Sequence, residues 1–428
     1  MANNLDSNVT NKVMRKFIPK FESTKVLCKT VNTSMYSGEF TPQFGDSIQV
    51  KRPHQYISTE TPDGDITATT ANNITSGSAK ATVQNYITVE IPWTNREEAL
   101  ELDQLDEIIA PAAEELVTKL ETNLGRFMVQ NAGLHNGTIG TGINKWGDVA
   151  ANGSLMQSIG VPNSGEKYAV MNPFAIQALA DTQSGLASGD NSLVNEAWKN
   201  AQIARNFGGL RGLTSNALPS TTLGALAGSS GTVSATPAGT YLAAKDTMQQ
   251  TIVLTGLTVS TVDAVRAGDT IRITQADRAR LNVMTREIAF DQAGQIEWTY
   301  KVVTGGDTDG GGSVTITVAS AAINEANGQY NNISNPVVAG DTFEILGTAD
   351  LVTQAGLFYH KDAFALATVP LPKLHTWDTV TKADNGFSIR CTKFADARGN
   401  SQGMRFDLLP AFACLNPNFA GTFWGTAP

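Results

Sequence analysis

The chain has 428 residues, of which 41% are hydrophobic and 17% are charged, and its formal net charge at pH 7 is −9. That length is sufficient for two or three domains with a sizeable core. The negative charge argues against a protein that coats nucleic acid through counterion release, so a nucleic acid partner would be contained rather than gripped. There is no run of eighteen apolar residues to predict a membrane span. The N-terminus, MANNLDSNVTNK, has no apolar core of a secretory signal.

The positions of the cysteines and histidines predict neither a disulfide framework nor a metal site. Cys28, Cys391 and Cys414 are odd in number and widely spaced, which favours a reducing cytoplasm over a disulfide scaffold. The four histidines lie far apart in the sequence, so a sequence-local zinc site is not predicted. We therefore expect no metal and no cofactor.

The N-terminal segment combines an apolar stripe with a basic face. Residues 11–21 carry apolar side chains at helical spacing, which predicts a short amphipathic helix. Between Lys12 and Lys29 there are six basic residues and one acid. Two interpretations remain open: an arm that docks on a neighbouring subunit, or an ordinary first helix with a solvated face. In the first interpretation, Phe17 and Phe21 are candidates for inter-subunit contact.

A long polar hairpin is predicted next. Residues 46–53 and 82–93 alternate apolar and polar side chains, as strands do. The segment 57–81 between them has isoleucines 57, 66 and 74 as its only large apolar residues, so it cannot build a core. Such a hairpin is either an arm that reaches over an adjacent subunit or a floppy surface loop. As an arm it would offer Asp63, Asp65 and Lys80 as contact candidates.

The clearest helix covers residues 111–133. It follows an acidic helical segment at 95–109, and its first residue, Pro111, suits the first position of a helix. Gly133 is a typical stop signal. About 22 residues of helix span roughly 33 Å. Its predicted core stripe consists of Leu116, Leu120, Leu124, Phe127 and Met128.

The region after the helix predicts mixed structure without a nucleotide site. The glycines at 137, 140 and 142 follow a helix rather than a strand, and no Gly-Lys-Ser/Thr occurs, so phosphate binding is not predicted. Residues 167–186 predict a buried strand, a turn at Asn172-Pro173 and a helix. Residues 195–207 predict a further helix, and residues 210–219 a strand or loop.

From about residue 221 the composition changes to glycine, threonine, serine and valine. Short strands are predicted at 251–259, 269–274, 295–303, 314–318 and 342–346, with turn signals between them. This pattern indicates an all-β module at 222–346, a small barrel or a sandwich. The segment 307–310 loosely resembles a calcium loop but lacks two of its ligands, so we predict a turn. Deleting the module would join two segments of similar character, which indicates an insertion.

The last part returns to a mixed pattern and contains no catalytic motif. Residues 357–369 predict a helix or a strand–helix passage, and residues 386–393 and 403–414 predict strands, the second with a break at Pro410. The chain has no GxSxG, HExxH, CxxC or Walker motif. Carboxylates brought together by folding are left open. We predict no catalytic residue and no enzymatic activity.

Five segments carry a resemblance to a known family. They are NGTIGTGINKW at 136–146, YAVMNP at 168–173, GLRGLTSNALP at 209–219, RAGDTIRI at 266–273 and MRFDLLPAFACLNPNFAG at 404–421. With the order of elements, they resemble the major capsid protein of tailed double-stranded DNA bacteriophages. The nearest type is the coat protein of short-tailed enteric phages, the Salmonella and Shigella podophage type, which carries an inserted β-barrel domain. The resemblance covers nearly the whole chain.

The resemblance implies an α+β capsid fold with peripheral and axial domains and a defined division of the chain. The implied parts are an N-terminal arm (1–33), an extended β-hairpin arm (34–93), a spine helix with the peripheral domain (94–171), the first part of the axial domain (172–221), an inserted all-β domain (222–346) and the second part of the axial and peripheral domains (347–428). The family's hairpin lies over a neighbouring subunit, and its spine helix crosses the peripheral domain.

The resemblance also implies structural work in a virion. Copies would assemble as hexamers and pentamers of an icosahedral shell, first as a procapsid in the host bacterial cytoplasm. The implied partners are the chain itself, a scaffolding protein, a portal protein and enclosed double-stranded DNA without sequence-specific contact, with no membrane. Three alternatives remain: a non-viral nanocompartment shell protein of the same fold, a β-rich glycan-binding surface protein, and a hydrolase whose site is assembled by folding.

Overall fold

A computed structural model of the protein describes residues 13–21, 25–34, 47–67, 74–94, 105–163, 165–184, 203, 205–375, 378–382, 387–396, 399 and 401–426. The chain forms two compact units. The first comprises Met1–Val50, Lys80–Gly125 and Phe364–Ala413, and the second comprises Lys51–Ala79, Arg126–Ala363 and Cys414–Pro428. Helices and strands are mixed along the chain, so the fold class is α+β, as predicted.

The helices and strands are numbered in chain order. The helices are α1 (13–21), α2 (Leu105–Asn131), α3 (Trp146–Ser158), α4 (Pro173–Ser184) and α5 (Tyr241–Ala244). The strands are β1 (Ser47–Lys51), β2 (Ser78–Val83), β3 (Ile87–Thr94), β4 (Leu134–Asn136), β5 (Lys167–Met171), β6 (Asn206–Phe207), β7 (Leu210–Thr214), β8 (Thr221–Thr222), β9 (Ser230–Val233), β10 (Gln249–Thr255), β11 (Thr270–Ile273), β12 (Thr299–Thr304), β13 (Val314–Ala319), β14 (Thr342–Ile345), β15 (Val352–His360), β16 (Phe364–Thr368), β17 (Thr379–Lys382), β18 (Ser388–Asp396), β19 (Ser401–Leu408), β20 (Pro410–Cys414) and β21 (Ala420–Thr426). Short 3₁₀ turns occur at Leu27–Lys29, Lys361–Ala363 and Pro417–Phe419.

Helix α2 is the long helix that the sequence predicts, but its start differs. It is already helical at Leu105, so Pro111 lies inside the helix rather than at its first position. The proline is tolerated because it is near the helix start and its ring is exposed, so that only one intrahelical hydrogen bond is lost. The acidic segment at 95–104 lies outside the described residues.

The apolar stripe of α2 is largely buried. Leu116, Leu120, Leu124 and Met128 are each 0% exposed, whereas Phe127 is partly exposed. Ala113 and Val117 complete the buried face, as do Glu121 and Val129. Residues three and four apart share one face of a helix, which is why the period of the sequence finds this stripe.

The first unit is built on two sheets. One has the strand order β1-β2-β20-β16 and the other has the order β17-β18-β19-β3. In the second sheet the antiparallel pairing of β19 with β3 places Met404 opposite Ile91 and Phe406 opposite Val89. The alternation of β3 between apolar and exposed residues therefore fits a strand with one face on the core.

The predicted strand at 82–93 is two strands in different sheets. Strand β2 pairs with β20, and β3 pairs with β19. Residues 84–86 separate them, and the Gln84 N–H donates to the carbonyl of Pro410 at 2.8 Å. Pro410 is itself the first residue of β20, a position where a strand accepts proline. The β2–β3 and β19–β20 connections therefore pass from one sheet to the other at the same place. The alternation of apolar and polar residues does not reveal such a long-range feature.

The second unit contains a mixed sheet with the order β4-β21-β15-β5-β7-β6, and β8 pairs with β15. Helices α3 and α4 supply Val149, Met156, Ile176 and Leu179 to a buried cluster that includes Phe358 of the sheet. The turn at Gly208 and Gly209 has positive φ at both residues and joins β6 to β7 as a hairpin. The helix predicted at 195–207 is therefore wrong at residues 206–207, which form β6. Most of the rest of the predicted helix lies outside the described residues.

The remainder of the second unit includes a closed antiparallel barrel with the strand order β10-β13-β12-β11-β14-β9. Its strands lie between Ser230 and Ile345, inside the predicted insertion at 222–346. Inward side chains alternate along each strand and fill the barrel with large residues such as Trp298, Tyr300 and Phe343. Five of the six strands coincide with predicted strands.

Strand β9 of the barrel is not predicted from the sequence. It contains Gly231 at a position where neighbouring atoms leave no space for a side chain. A Cβ at Gly231 would lie 2.3 Å from the Thr255 carbonyl oxygen and 3.0 Å from the Phe343 ring. The close approach of neighbouring backbone requires glycine, and glycine weakens the strand signal of the sequence. The short strand SGTV is thus fixed by the partners that close the barrel.

The structure also changes the prediction for residues 357–369. The segment 357–369 is not a helix: strand β15 and strand β16 are separated by the 3₁₀ turn Lys361–Ala363. Each residue of β16 is buried, so the sequence shows a continuous apolar run rather than an alternation. Such runs do not distinguish a buried strand from a buried helix.

Leu120→Ala should destabilise the protein by about 2–5 kcal/mol, because it removes a fully buried side chain of α2 and leaves a cavity. Leu120→Asp should prevent folding, since it would bury an unpaired carboxylate. Urea unfolding followed by circular dichroism measures the loss of stability in Leu120→Ala. The same measurement shows whether Leu120→Asp has any folded structure. Lys119→Ala, on the exposed face one residue earlier, is the control and should change the stability by about 0.5 kcal/mol or less. A Leu120→Ala variant with the wild-type urea midpoint would contradict this role of the stripe.

Candidate functional site

The two aromatic residues predicted for inter-subunit contact belong to the core of the first unit. Phe17 and Phe21 are each 0% exposed. Phe17 stacks on Phe406 with ring centroids 4.4 Å apart, and Phe21 meets Phe387 edge-on at 5.9 Å. The apolar stripe of α1 is thus covered by the chain itself, and a role of Phe17 and Phe21 between subunits stays a prediction.

A carboxylate on α2 holds the segment that follows α1. Glu121 is 3% exposed and accepts hydrogen bonds from the backbone N–H groups of Val26 and Cys28, the second at 3.3 Å. Burial raises the pKa of Glu121, although these N–H donors oppose the shift. The ammonium group of Lys25 lies 4.5 Å from the centre of the Phe387 ring. The N-terminal segment is thus fastened by polar as well as apolar contacts.

The polar contact candidates of the hairpin are exposed. Asp63 and Asp65 belong to one tight turn, in which the Asp65 carboxylate accepts from the N–H and hydroxyl of Thr67 at 2.9 and 2.7 Å. The Thr67 N–H and hydroxyl bonds lower the pKa of Asp65. Lys80 is exposed on β2. Their role between subunits stays a prediction.

A buried carboxylate of the first unit is shared by two arginines and a threonine. Asp407 is 0% exposed and accepts from the Arg390 guanidinium at 2.6 Å, from Arg405 at 2.6 Å and from the Thr88 hydroxyl at 2.8 Å. Burial alone would raise the pKa of Asp407, but these three donors outweigh it and the pKa is lowered. The cluster joins β3, β18 and β19 within one sheet.

A buried arginine joins the barrel to the rest of the second unit. Arg280 is 2% exposed and lies over the Trp298 ring at 4.1 Å. It donates to the Asn418 side chain at 3.1 Å, to the Gly133 carbonyl at 2.7 Å and to the Thr299 carbonyl at 2.8 Å. Burial lowers its pKa to about 9, so it stays charged at neutral pH. Within the described residues its hydrogen-bond partners are all neutral.

A second buried cation lies on the outer surface of the barrel wall. Lys301 of β12 donates to the hydroxyls of Thr270 and Thr422 at 2.9 and 3.3 Å, so it connects the barrel to β21. Burial lowers the pKa of Lys301 to about 8, and burial together with the lysine charge lowers the pKa of His135 to about 3. Burial raises the pKa of the neighbouring Asp269 to about 6. The cluster is a structural joint, since Lys301 and His135 share the Thr422 hydroxyl and Asp269 accepts from the backbone N–H groups of Gly224 and Arg266.

One open surface cavity lies in the described part of the second unit. It has a volume of about 470 Å³ and is lined by Arg126, Gln130, Arg266 and hydroxyl residues 220–222, without a histidine, cysteine or carboxylate. Arg266 is already paired with Asp263 and Asp350. The segment predicted as a turn at 307–310 is one, because the Asp309 carboxylate accepts from the N–H groups of residues 311 and 313. Across the described residues, no group of three histidine, cysteine or acidic side chains could hold a metal ion.

Comparisons with known proteins place the chain in a family. Residues 1–425 match the family described as "P22 coat protein - gene protein 5". The chain is 44% identical over 426 residues to the "Major capsid protein" of Acyrthosiphon pisum secondary endosymbiont phage 1, covering 99% of this chain and 100% of that protein. Solved structures match at lower similarity. Mycobacterium phage Che8 has a TM-score of 0.45 at 12% identity (93% of this chain, 90% of the other), and the capsid of Ralstonia phage GP4 has 0.40 at 8% identity (90% and 84%).

The family match and the 44% identical relative define the class of this chain as a structural capsid protein. The chain belongs to the P22 coat protein family, as its match over residues 1–425 shows. It is a phage major capsid protein, and neither the nanocompartment nor the glycan-binding alternative is favoured by these matches. None of the helices that the structure describes is long and apolar enough to cross a membrane.

Sequence reasoning missed the polar joints, although it found the family. Glu121, Arg280, Lys301 and Asp407 each act on residues distant in the chain; for example, the Arg280–Asn418 bond spans 138 positions. Glu121 gives the one local signal, because it stands on the apolar stripe of α2 at the helical period. The other three have no distinguishing pattern in their surroundings.

Asp407 should make the first unit sensitive to acid. Because its pKa is lowered on folding, its contribution is fully present above its unfolded pKa of about 3.9 and is lost as the pH falls through the lower folded value. At pH 7, Asp407→Asn should cost about 3–5 kcal/mol, because it leaves Arg390 buried without its charge partner. Denaturant unfolding between pH 7 and pH 2 should show this difference from wild type shrinking below about pH 4.

The control for this titration is Glu114→Gln, which changes an exposed carboxylate on α2. Its difference from wild type should stay within about 0.5 kcal/mol at each pH. A pH-independent difference between Asp407→Asn and wild type would contradict the assignment.

Proposed function

We propose that copies of this chain assemble as hexamers and pentamers into an icosahedral shell around a phage double-stranded DNA genome. The observation that carries the proposal is the match to the P22 coat protein family over residues 1–425. The described structure supports it through extended elements, including a hairpin that has no core of its own. Assembly takes place in the host bacterial cytoplasm.

A scaffolding protein and a portal protein are the proposed partners during assembly, and the enclosed DNA is held without sequence-specific contact. The net charge of −9 supports containment, because a negative inner wall lets packaged DNA move without sticking. The exposed side of α1 carries Arg15, Lys16 and Lys20, so its polar face is available for contacts while its apolar face is buried. The hairpin acids and Lys80 remain the candidates for contact with a neighbouring subunit.

The domain organisation is part of the proposal. We place an N-terminal arm at 1–33, a hairpin arm at 34–93, the spine helix with the peripheral domain at 94–171, the axial domain at 172–221 and an inserted domain at 222–346. The remaining residues, 347–428, complete the axial and peripheral domains. A barrel that closes on its own strands and has its own apolar core supports the boundaries of the insertion.

The purified chain should form closed shells or capsomer rings, with the yield of closed shells rising when a scaffolding protein of the same phage is added. The reason is that copies of a shell protein bury their contact surfaces against one another, and a scaffold raises their local concentration. Sedimentation velocity and negative-stain electron microscopy measure the outcome. Unfolded Leu120→Asp protein is the negative control. A monomer that persists at all concentrations, with and without scaffold, would contradict the proposal.

Residues 222–346 expressed alone should give a folded all-β domain with dispersed amide NMR signals and a strand-type circular dichroism spectrum. The six strands supply each other's hydrogen bonds, so closure requires no outside strand. A fragment that starts at residue 240 lacks β9, which pairs with both β10 and β14, and is the matched control. It should be unfolded or aggregated. A collapsed spectrum for the longer fragment would count against these boundaries.

A further inference from the structure

The base of the hairpin lies against the barrel of the same chain. Hairpin residues 51–79 and the barrel belong to one compact unit. The two limbs of the hairpin meet at Arg52, whose N–H donates to the Gly77 carbonyl at 2.8 Å. Five barrel residues surround this base: Tyr241, Lys245, Asp246, Arg286 and Tyr330. We call this group the hairpin seat.

The first contact with the hairpin seat is polar. The Asp246 carboxylate accepts from the Ser78 N–H at 3.1 Å and from the Ser78 hydroxyl at 2.9 Å. Arg52 donates to the Lys245 carbonyl at 3.1 Å and to the Ser78 carbonyl at 3.2 Å. The Arg52 guanidinium also donates to the carbonyl of Leu415, which follows β20. Arg52, on the first limb of the hairpin, thus contacts the second limb, the residue that follows α5 and the residue that follows β20.

The second contact is a close approach that only glycine allows. The Tyr241 and Tyr330 rings are stacked with centroids 3.6 Å apart and form a flat platform. Gly77 is buried on it, and a Cβ there would lie 2.5 Å from the Tyr241 hydroxyl and 2.6 Å from the Lys245 carbonyl oxygen. The Tyr330 hydroxyl donates to the Thr75 carbonyl at 3.4 Å. The hairpin backbone therefore fits the barrel surface without space for a side chain.

The third contact lies further along the hairpin. Arg286 donates to the Gln55 side chain at 2.8 Å, from a barrel loop where Arg286 has a positive φ of 63°. Three separate elements of the barrel thus reach the hairpin base: α5 with the residues after it, the loop of Arg286, and the loop of Tyr330. Contacts at three separate elements fix an angle as well as a position.

We propose that the inserted barrel is a bracket that holds the hairpin in place before subunits meet. Residues 57–81 cannot hold a position through a core of their own, so the hairpin seat supplies the fixed base and the tip is left exposed. Pre-positioning lowers the ordering entropy that the hairpin would otherwise lose on contact with a neighbour. The consequence for assembly rests on the proposed shell function, whereas the contact itself does not.

Gly77→Ala and Asp246→Ala in the full-length chain test the bracket. Hydrogen exchange of the soluble subunit should be at least tenfold faster in peptides covering 51–57 and 74–80, because each variant removes contacts that hold the base. Exchange in barrel strands β10 and β13 should stay at the wild-type rate. Closed shells, counted by electron microscopy, should fall at least tenfold in yield or become irregular.

Two matched controls separate the bracket from general damage. Gly310→Ala makes the same change in a barrel loop, where an added Cβ meets nothing within 4 Å, and should behave as wild type. Asp246→Asn keeps an acceptor oxygen for both Ser78 bonds and should restore slow exchange and shell yield. Rescue by asparagine but not by alanine identifies the hydrogen bonds rather than the volume of the residue.

Wild-type exchange in both test variants would overturn the bracket. Fast exchange with a normal yield of regular shells would overturn its role in assembly. If wild-type protein itself forms no shells, the proposed shell function fails, while the exchange rates still decide whether the barrel holds the hairpin.

Discussion

The burial of Arg280 is the interaction on which the position of the barrel depends. A guanidinium with neutral partners is costly to bury, and it is held here by a tryptophan ring and by carbonyl and amide oxygens from three parts of the chain. Taken together, these bonds require the barrel, the segment after α2 and Asn418 to be in place at the same time. Lys301, bonded to Thr422 of β21, repeats the arrangement a short distance along the chain. The barrel is thus integrated with the rest of the second unit.

The barrel module also shares apolar contacts with the mixed sheet of the second unit. Ala289 and Ile296, from the barrel module, belong to the same buried cluster as Phe358 and Phe423 of the mixed sheet. A module that shares a core and two buried cations with its surroundings transmits a displacement rather than absorbing it. The hairpin seat lies in the same compact unit.

The elements that the sequence predicted well are those with a local period. The stripe of α2, the strand and helix around Asn172-Pro173 and five barrel strands were all found, because side chains on one face recur at 3.6 or 2 residues. The errors lie where the period is absent or misleading. Strand β16 is buried on both faces, Pro111 is tolerated inside a helix, and β9 carries Gly231 for reasons that only its neighbours explain.

By itself, the sequence determined the class of the protein: a mixed chain with an all-β segment, no catalytic motif and the element order of a phage coat protein. It also determined which face of α1 is apolar, but not what covers that face. Only the tertiary structure decided that Phe17 and Phe21 pack on their own unit, and that Arg280 and Asp407 find partners far away in the chain. The physical reason is that periodicity records the burial of a side chain, whereas the identity of its partner depends on chain paths that no local pattern records.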